Sequence, residues 1–109
     1  MKIEDVRFTA TTWCKVEPVE YPGTTGSAIW RTVEQGNLRV RMVEYSRDFL
    51  QDHWCPRGHV MLVLHGDVLV ELGDGTRVTL QPGESFQVAD DLSSHRLSSR
   101  GGARVFVVD

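Results

Sequence analysis

The sequence of 109 residues predicts an all-β domain, a closed or nearly closed antiparallel sandwich. Three observations predict it. From Gly58 onward, glycines recur at Gly66, Gly73, Gly75, Gly83, Gly101 and Gly102, with Pro82 among them, which is the spacing of strands and turns. The runs between them are apolar or alternating, rich in valine and leucine, and too short for a good helix. The length supplies a single core, since a domain of this size buries roughly two-thirds of the surface its unfolded chain exposes.

In chain order, Met1 to Thr12 carries Glu4 and Asp5 and no apolar run, so neither a signal peptide nor a membrane span is expected. Thr11 to Ser27, with Pro18, Pro22, Gly23 and Gly26, is a turn-rich lead-in expected to pack across the sheet through Trp13 and Tyr21. Residues 1–27 therefore precede the main strands, which occupy 28–109. Ala28 to Val33 and Leu38 to Tyr45 form two strands joined through Gln35-Gly36-Asn37. Strict alternation in Leu38-Arg39-Val40-Arg41-Met42 predicts that the apolar residues are buried and both arginines lie on the other face, a positive stripe that either binds an acidic ligand or faces water, with water favoured. Ser46 to Asp52 is the one stretch suited to a short helical turn. Further strands are His59 to Leu64, Val68 to Leu72, Thr76 to Leu80, Ser85 to Val88, one opened by His95, and Ala103 to Val108. The turns His65-Gly66-Asp67 and Gly73-Asp74-Gly75 supply residues that tolerate positive φ between antiparallel strands.

Composition narrows the function. Hydrophobic residues at 40% and charged residues at 25% are ordinary globular usage, which excludes disordered, collagen-like and coiled-coil classes. A net charge of −3 with no two basic residues adjacent argues against nucleic acid, whose phosphates need a concentrated basic face. Cys14 and Cys55 allow at most one bridge, which a domain of this length does not need, so a cytoplasmic location is expected.

The chemistry concentrates in Asp52-His53-Trp54-Cys55-Pro56-Arg57-Gly58-His59. If Asp52 to Cys55 is extended, the period of two puts His53 and Cys55 on one face and Trp54 on the other. A turn at Pro56 to Gly58 lets the next strand begin with His59, and His95 opens a later strand from which a side chain can reach the same place. Imidazole and thiolate are the donors that zinc, iron, copper and nickel prefer. The bland alternative is a half-buried strand pair with local hydrogen bonds and Cys55 as a small core residue. His65, in a turn, is expected to be exposed. Asp52 and Glu84 are candidates for a general base or for orienting a ligating imidazole. Cys14 is read as a packed or surface thiol, and Trp54 as packed on the outer face or in an interface. Met42, Met61, Phe86 and Phe106 either line a pocket or are plain core.

The spacing His53-x-Cys55-x3-His59-x6-Gly66, followed by Gln81-Pro82-Gly83-Glu84 and His95, resembles the two-motif signature of the cupins over about residues 38–109. By that resemblance His53 and Cys55 take the two positions of the first motif's His-x-His. His59 takes its glutamate position, and His95 the second motif's histidine. The run Asp52-His53-Trp54-Cys55 also resembles a group of small cupins named for an Asp, His, Cys and Trp motif. The resemblance implies a small antiparallel β-barrel of jelly-roll type, a divalent metal among inward residues, and a homodimer. The sequence departs from the pattern at Arg47, where the motif has its leading glycine, at Ala89-Asp90-Asp91, where it has Pro-x-Gly, and at Ser99, where it has asparagine. Cys55 and His59 in place of a histidine and a glutamate make the donor set softer, favouring zinc, copper or iron over manganese.

Three functions stay open on these residues. One is a metal-dependent dioxygenase or isomerase acting on a small oxygen-bearing molecule. Another is a non-catalytic module that binds a small ligand or a metal. The third is a closed structural zinc site using all four donors. The first needs open coordination positions, as when only the three histidines bind.

Overall fold

Glycine-punctuated runs of β-branched residues form strands throughout residues 2–109, which the computed structural model describes. In chain order these are β1 (Val19–Pro22), β2 (Ser27–Gln35), β3 (Leu38–Tyr45), β4 (Phe49–Leu50), β5 (His59–Gly66), β6 (Val68–Leu72), β7 (Arg77–Leu80), β8 (Ser85–Val88), β9 (His95–Ser99) and β10 (Ala103–Val108). A single 3-10 turn at Trp13–Lys15 and strand β1 lie within the lead-in. No helix among the described residues is long and apolar enough to cross a membrane.

The strands form two antiparallel sheets, one in the order β1-β2-β3-β10-β5-β8 and the other β4-β9-β6-β7. One core fills the space between them: Val43, Val63 and Val105 from the larger sheet meet Val68, Val70 and Leu97 from the smaller. Beyond the named ladders the described residues add only the single bridges Thr25 to Leu50 and Cys55 to His95. The architecture is thus an all-β sandwich, and the continuous closed barrel implied by the resemblance is not formed.

Three local expectations are corrected. Arg39 and Arg41 do not face water: Arg41 is buried on the inner face beside Val43. Leu38 and Val40 instead line the outer face with Trp13, Val33 and Phe106. Trp13 stands edge-on to Phe106 at 6.1 Å, and Arg31 donates to the carbonyls of Trp13, Cys14 and Val16. The lead-in thereby covers the outer face, so β3 has two sheltered faces, and alternation alone does not tell which of them is lined with charge. Tyr21 packs on Trp30 at 4.6 Å. Ser46 to Asp52 holds no helical turn; a tight turn with Asp48 at φ 56° leads into β4. Asp52 to Cys55 is not a strand either, because the chain bends at Asp52 and His53 and only Cys55 pairs.

Gly66 carries the chain from the larger sheet to the smaller. Its φ is +75°, and a Cβ there would meet the Gly102 carbonyl oxygen. Gly66→Ala is therefore expected to lose about 2 kcal/mol in chemical denaturation, strain and clash together. Gly75→Ala, at φ +93° with open space around it, should lose only about 1 kcal/mol. Equal losses would rule out the clash.

Candidate metal and ligand cavity

A cavity of about 210 Å³ opens at one end of the sandwich, lined by residues of β2, β3, β5, β9 and β10 and of the loop before β5. Strand alternation positions its walls. β3 turns Arg39, Arg41, Val43 and Tyr45 inward, β5 contributes His59 and Met61, and β9 contributes His95 and Leu97. The loop supplies Gln51, His53, Cys55 and Arg57.

At its base His59 Nε2 lies 2.9 Å from His95 Nε2. The rings are nearly perpendicular, at 79°, and Phe86 stands edge-on to both at 5.6 and 5.4 Å. His95 is only 1% exposed and the His59 side chain 6%. Burial first, then the neighbouring His95 and Arg41, push His59 down to about 4. Burial lowers His95 as well. Both rings are therefore neutral at neutral pH.

The outer nitrogen of His95 decides its tautomer. His95 Nδ1 faces the Ser93 carbonyl at 3.3 Å, an acceptor, so this nitrogen carries the proton. His59 Nδ1 is buried without a hydrogen-bond partner, with Asp109 Oδ2 3.8 Å away. A carboxylate there also favours a protonated Nδ1. With the His59 proton on Nε2, the 2.9 Å contact is an N–H···N hydrogen bond; with both protons on the outer nitrogens, the two Nε2 lone pairs face each other at that distance, a placement that a cation between them would satisfy. Metal-bound imidazoles have this tautomer, with the far N–H directed at a carboxylate or carbonyl. Two metal–nitrogen bonds of about 2.1 Å at a right angle set their nitrogens about 3.0 Å apart. The pair fits two positions of a metal centre.

The other predicted donors are placed differently. Cys55 exchanges both backbone hydrogen bonds with His95, at 2.8 and 3.0 Å, and directly opposed residues of an antiparallel pair share a face. Cys55 thus lies beside His95 on the cavity wall. His53 stands at the mouth, its side chain 63% exposed, and donates from Nδ1 to Asp52 Oδ1 at 2.7 Å. That bond is the main cause holding the Asp52 carboxyl below its usual range. Among the described residues no three His, Cys, Asp or Glu side chains converge as a metal-holding group. Glu84 accepts from the Gln81 backbone N–H in a turn, away from the cavity. His65, as expected, is exposed, as is Cys14.

Sequence reasoning singled out Arg39 and Arg41 as a positive stripe but missed the residues that gather them, Asp109 and Arg57. Asp109 follows β10 and exchanges both backbone hydrogen bonds with Arg39. Its carboxylate is 4% exposed and accepts both Arg39 Nε and Nη2, at 2.9 and 2.7 Å. The same Oδ2 meets Arg57 Nε at 3.1 Å and Arg41 Nη2 at 3.4 Å. Burial works against the Asp109 charge, but the Arg39 bond and the other two arginines outweigh it and lower its pKa. Arg41 lies 4.4 Å over the Trp30 ring, a favourable cation–π placement.

Comparison with solved structures gives this geometry a family context. An RmlC-like cupin from Shewanella frigidimarina NCIMB 400 is similar over 90% of this chain and 86% of its own, with a TM-score of 0.74 at 16% identity. The chain has the cupin fold. A sugar phosphate isomerase from the cupin superfamily, of Silicibacter pomeroyi DSS-3, is similar over 92% and 74%, with a TM-score of 0.72 at 16% identity. Hydroxypropylphosphonic acid epoxidase from S. wedmorenis has a TM-score of 0.73 at 14% identity. There the match covers 94% of this chain and 59% of the epoxidase. No family model matches this cupin-fold chain, and no curated protein matches it in sequence.

Proposed function

We propose that this cupin-fold chain binds a divalent transition metal between His59 and His95, with Cys55 and His53 as further donors, and holds a small oxygen-bearing molecule in the cavity. The supporting observation is the facing pair of Nε2 atoms at 2.9 Å, with the far side of the His95 ring held by the Ser93 carbonyl. Imidazole with thiolate suits zinc or iron best, and also copper or nickel. A metal so held would polarise a bound oxygen or activate dioxygen, the chemistry of an isomerase or dioxygenase acting on a small molecule. Two structural neighbours are a sugar phosphate isomerase and an epoxidase with an iron(II) form.

The chain's own residues have separable tasks in this proposal. Ser93 orients the His95 imidazole through its carbonyl, and the Asp109 carboxylate stands 3.8 Å from His59 Nδ1. Phe86, Met61 and Leu97 keep the base of the cavity dry. The Tyr45 phenol, raised above its usual range chiefly by burial, stays protonated and offers its O–H to a ligand. A non-catalytic binding module is the second reading, favoured by the absence of three converging donors among the described residues.

Metal analysis after reconstitution with zinc, iron(II) or cobalt(II) tests the proposal. Wild type is expected to hold stoichiometric metal, His95→Ala to lose at least about tenfold in affinity, and Cys55→Ala to lose the thiolate absorption band of the cobalt form. Wild type that holds no stoichiometric metal after reconstitution would sink it. A cobalt form that retains an exchangeable water excludes the closed structural site.

A further inference from the structure

We propose that the arginine-lined side of the cavity binds a small oxyanion, a carboxylate or phosphoryl group, through Arg41 and Arg57 with Tyr45 and Gln51. This deepens the function proposed above by naming the ligand class, and it rests on that reading only in taking the same cavity as the binding site.

Charge comes first. Arg39, Arg41 and Arg57 all meet the Asp109 side chain, so three guanidinia share one side-chain carboxylate. An uncompensated guanidinium in a site screened from water is costly, and the Arg41 side chain is only 7% exposed.

Hydrogen-bond capacity shows the same imbalance. Asp109 takes Arg39 in a two-pronged bond, which leaves Arg39 well satisfied. Arg41 makes one long hydrogen bond, 3.4 Å to Asp109, and its Nε is buried without a partner. A guanidinium carries five N–H donors, so most of the Arg41 capacity is unused. Arg57 approaches Asp109 through Nε at 3.1 Å, and its side chain is 54% exposed at the mouth. Gln51 Oε1 accepts the Leu97 backbone N–H at 3.0 Å, and the free end of its amide is therefore the donor end. Tyr45 adds an O–H. The wall offers donors in excess and almost no free acceptor, so its complement is a ligand made of acceptors. Carboxylates and phosphoryl groups meet that description and match the planar guanidinium fork.

Size restricts the ligand further. The cavity of about 210 Å³ is below the usual range of roughly 300–1,000 Å³ for drug-sized ligands. An anion of a few heavy atoms fits, and a nucleotide does not.

Calorimetric titration of the metal-free protein with acetate, methylphosphonate and the neutral isostere acetamide tests the proposal. At least one of the two anions is expected to bind about tenfold or more tightly than acetamide, and the tighter of them identifies the head group. Arg41→Met should weaken that binding about tenfold or more. Should Arg41→Met fail to fold, Arg57→Ala and Tyr45→Phe carry the test, each expected to weaken binding about threefold or more. Acetamide binding as tightly as both anions, no anion binding at all, or anion affinity unchanged in both Arg57→Ala and Tyr45→Phe overturns the proposal. Metal uptake on the same preparations separates the two readings: anion binding without metal uptake removes only the metal site, and metal uptake without anion binding removes only this one.

Discussion

Asp109→Ala is expected to destabilise the fold by about 3–5 kcal/mol, the usual loss when one partner of a buried charge group is removed. The substitution deletes the side-chain carboxylate that three guanidinia share. Arg39 loses a two-pronged bond, and Arg41 is left buried with no anion in contact. A loss of this size is a large share of the roughly 5–15 kcal/mol that holds a domain folded, so the variant should unfold at much lower denaturant. Urea denaturation at pH 7 is the measurement. Arg57→Ala is the control: its side chain is 54% exposed, and an exposed ion pair contributes at most about 1 kcal/mol. Asp109→Asn keeps an acceptor oxygen and should fall between the two. If Asp109→Ala loses less than about 1 kcal/mol, the arginines are being solvated where they stand, and the role assigned to the shared carboxylate is wrong.

That prediction was out of reach of the sequence, and β3 shows why. Alternation in Leu38-Arg39-Val40-Arg41-Met42 separates two faces correctly, because the period of a strand is two. It does not say which face is the interior when a distant segment covers the other. The lead-in covers the apolar face through Trp13 and Arg31, and this frees the arginine face to line a polar cavity. Asp109 lies 70 residues from Arg39 in sequence, and no local pattern links them. The histidines were more legible. His59 and His95 each begin a strand, as their flanking turns predicted, and strand starts at one end of a sandwich meet there. Cys55 was placed beside His95 by a single bridge rather than by the strand expected for it. His53, held by its neighbour Asp52, shows how a local hydrogen bond turns a side chain toward the mouth when the extended segment expected there is absent. The strand boundaries of the second half were legible because valine and leucine runs end at glycines; the division into two separate sheets was not, since it depends on which distant strands pair.

Metal-free protein is expected to lose about 3 kcal/mol of stability as the pH falls from about 6.5 to about 4, through His59 alone. The folded value is pushed down to about 4 from an unfolded value near 6.5, chiefly because burial penalises the charged ring. Above the unfolded value the ring is neutral in both states and contributes no pH dependence. Between the two values the unfolded chain takes up a proton that the native state refuses, so stability falls; below the folded value both states are protonated and the loss is complete. His95, lowered in the same direction, adds to the slope. Asp109 acts in a second, more acidic window: its folded value is depressed, so its contribution is present above the ordinary carboxyl range and is lost as pH falls through the folded value. Urea midpoints in the presence of a chelator, measured across this range, check the first window, and His59→Gln should flatten it. A wild-type profile that is flat from about pH 6.5 to 4.5 would show that the His59 ring is solvated. Metal should steepen the same profile, because a bound ion needs both imidazoles neutral and stabilises only the state that gathers them. The stabilisation by added zinc should therefore be greatest near neutral pH and vanish as His59 and His95 take up protons, whereas stabilisation by an oxyanion at the arginine wall should survive to lower pH, since it does not depend on a neutral imidazole.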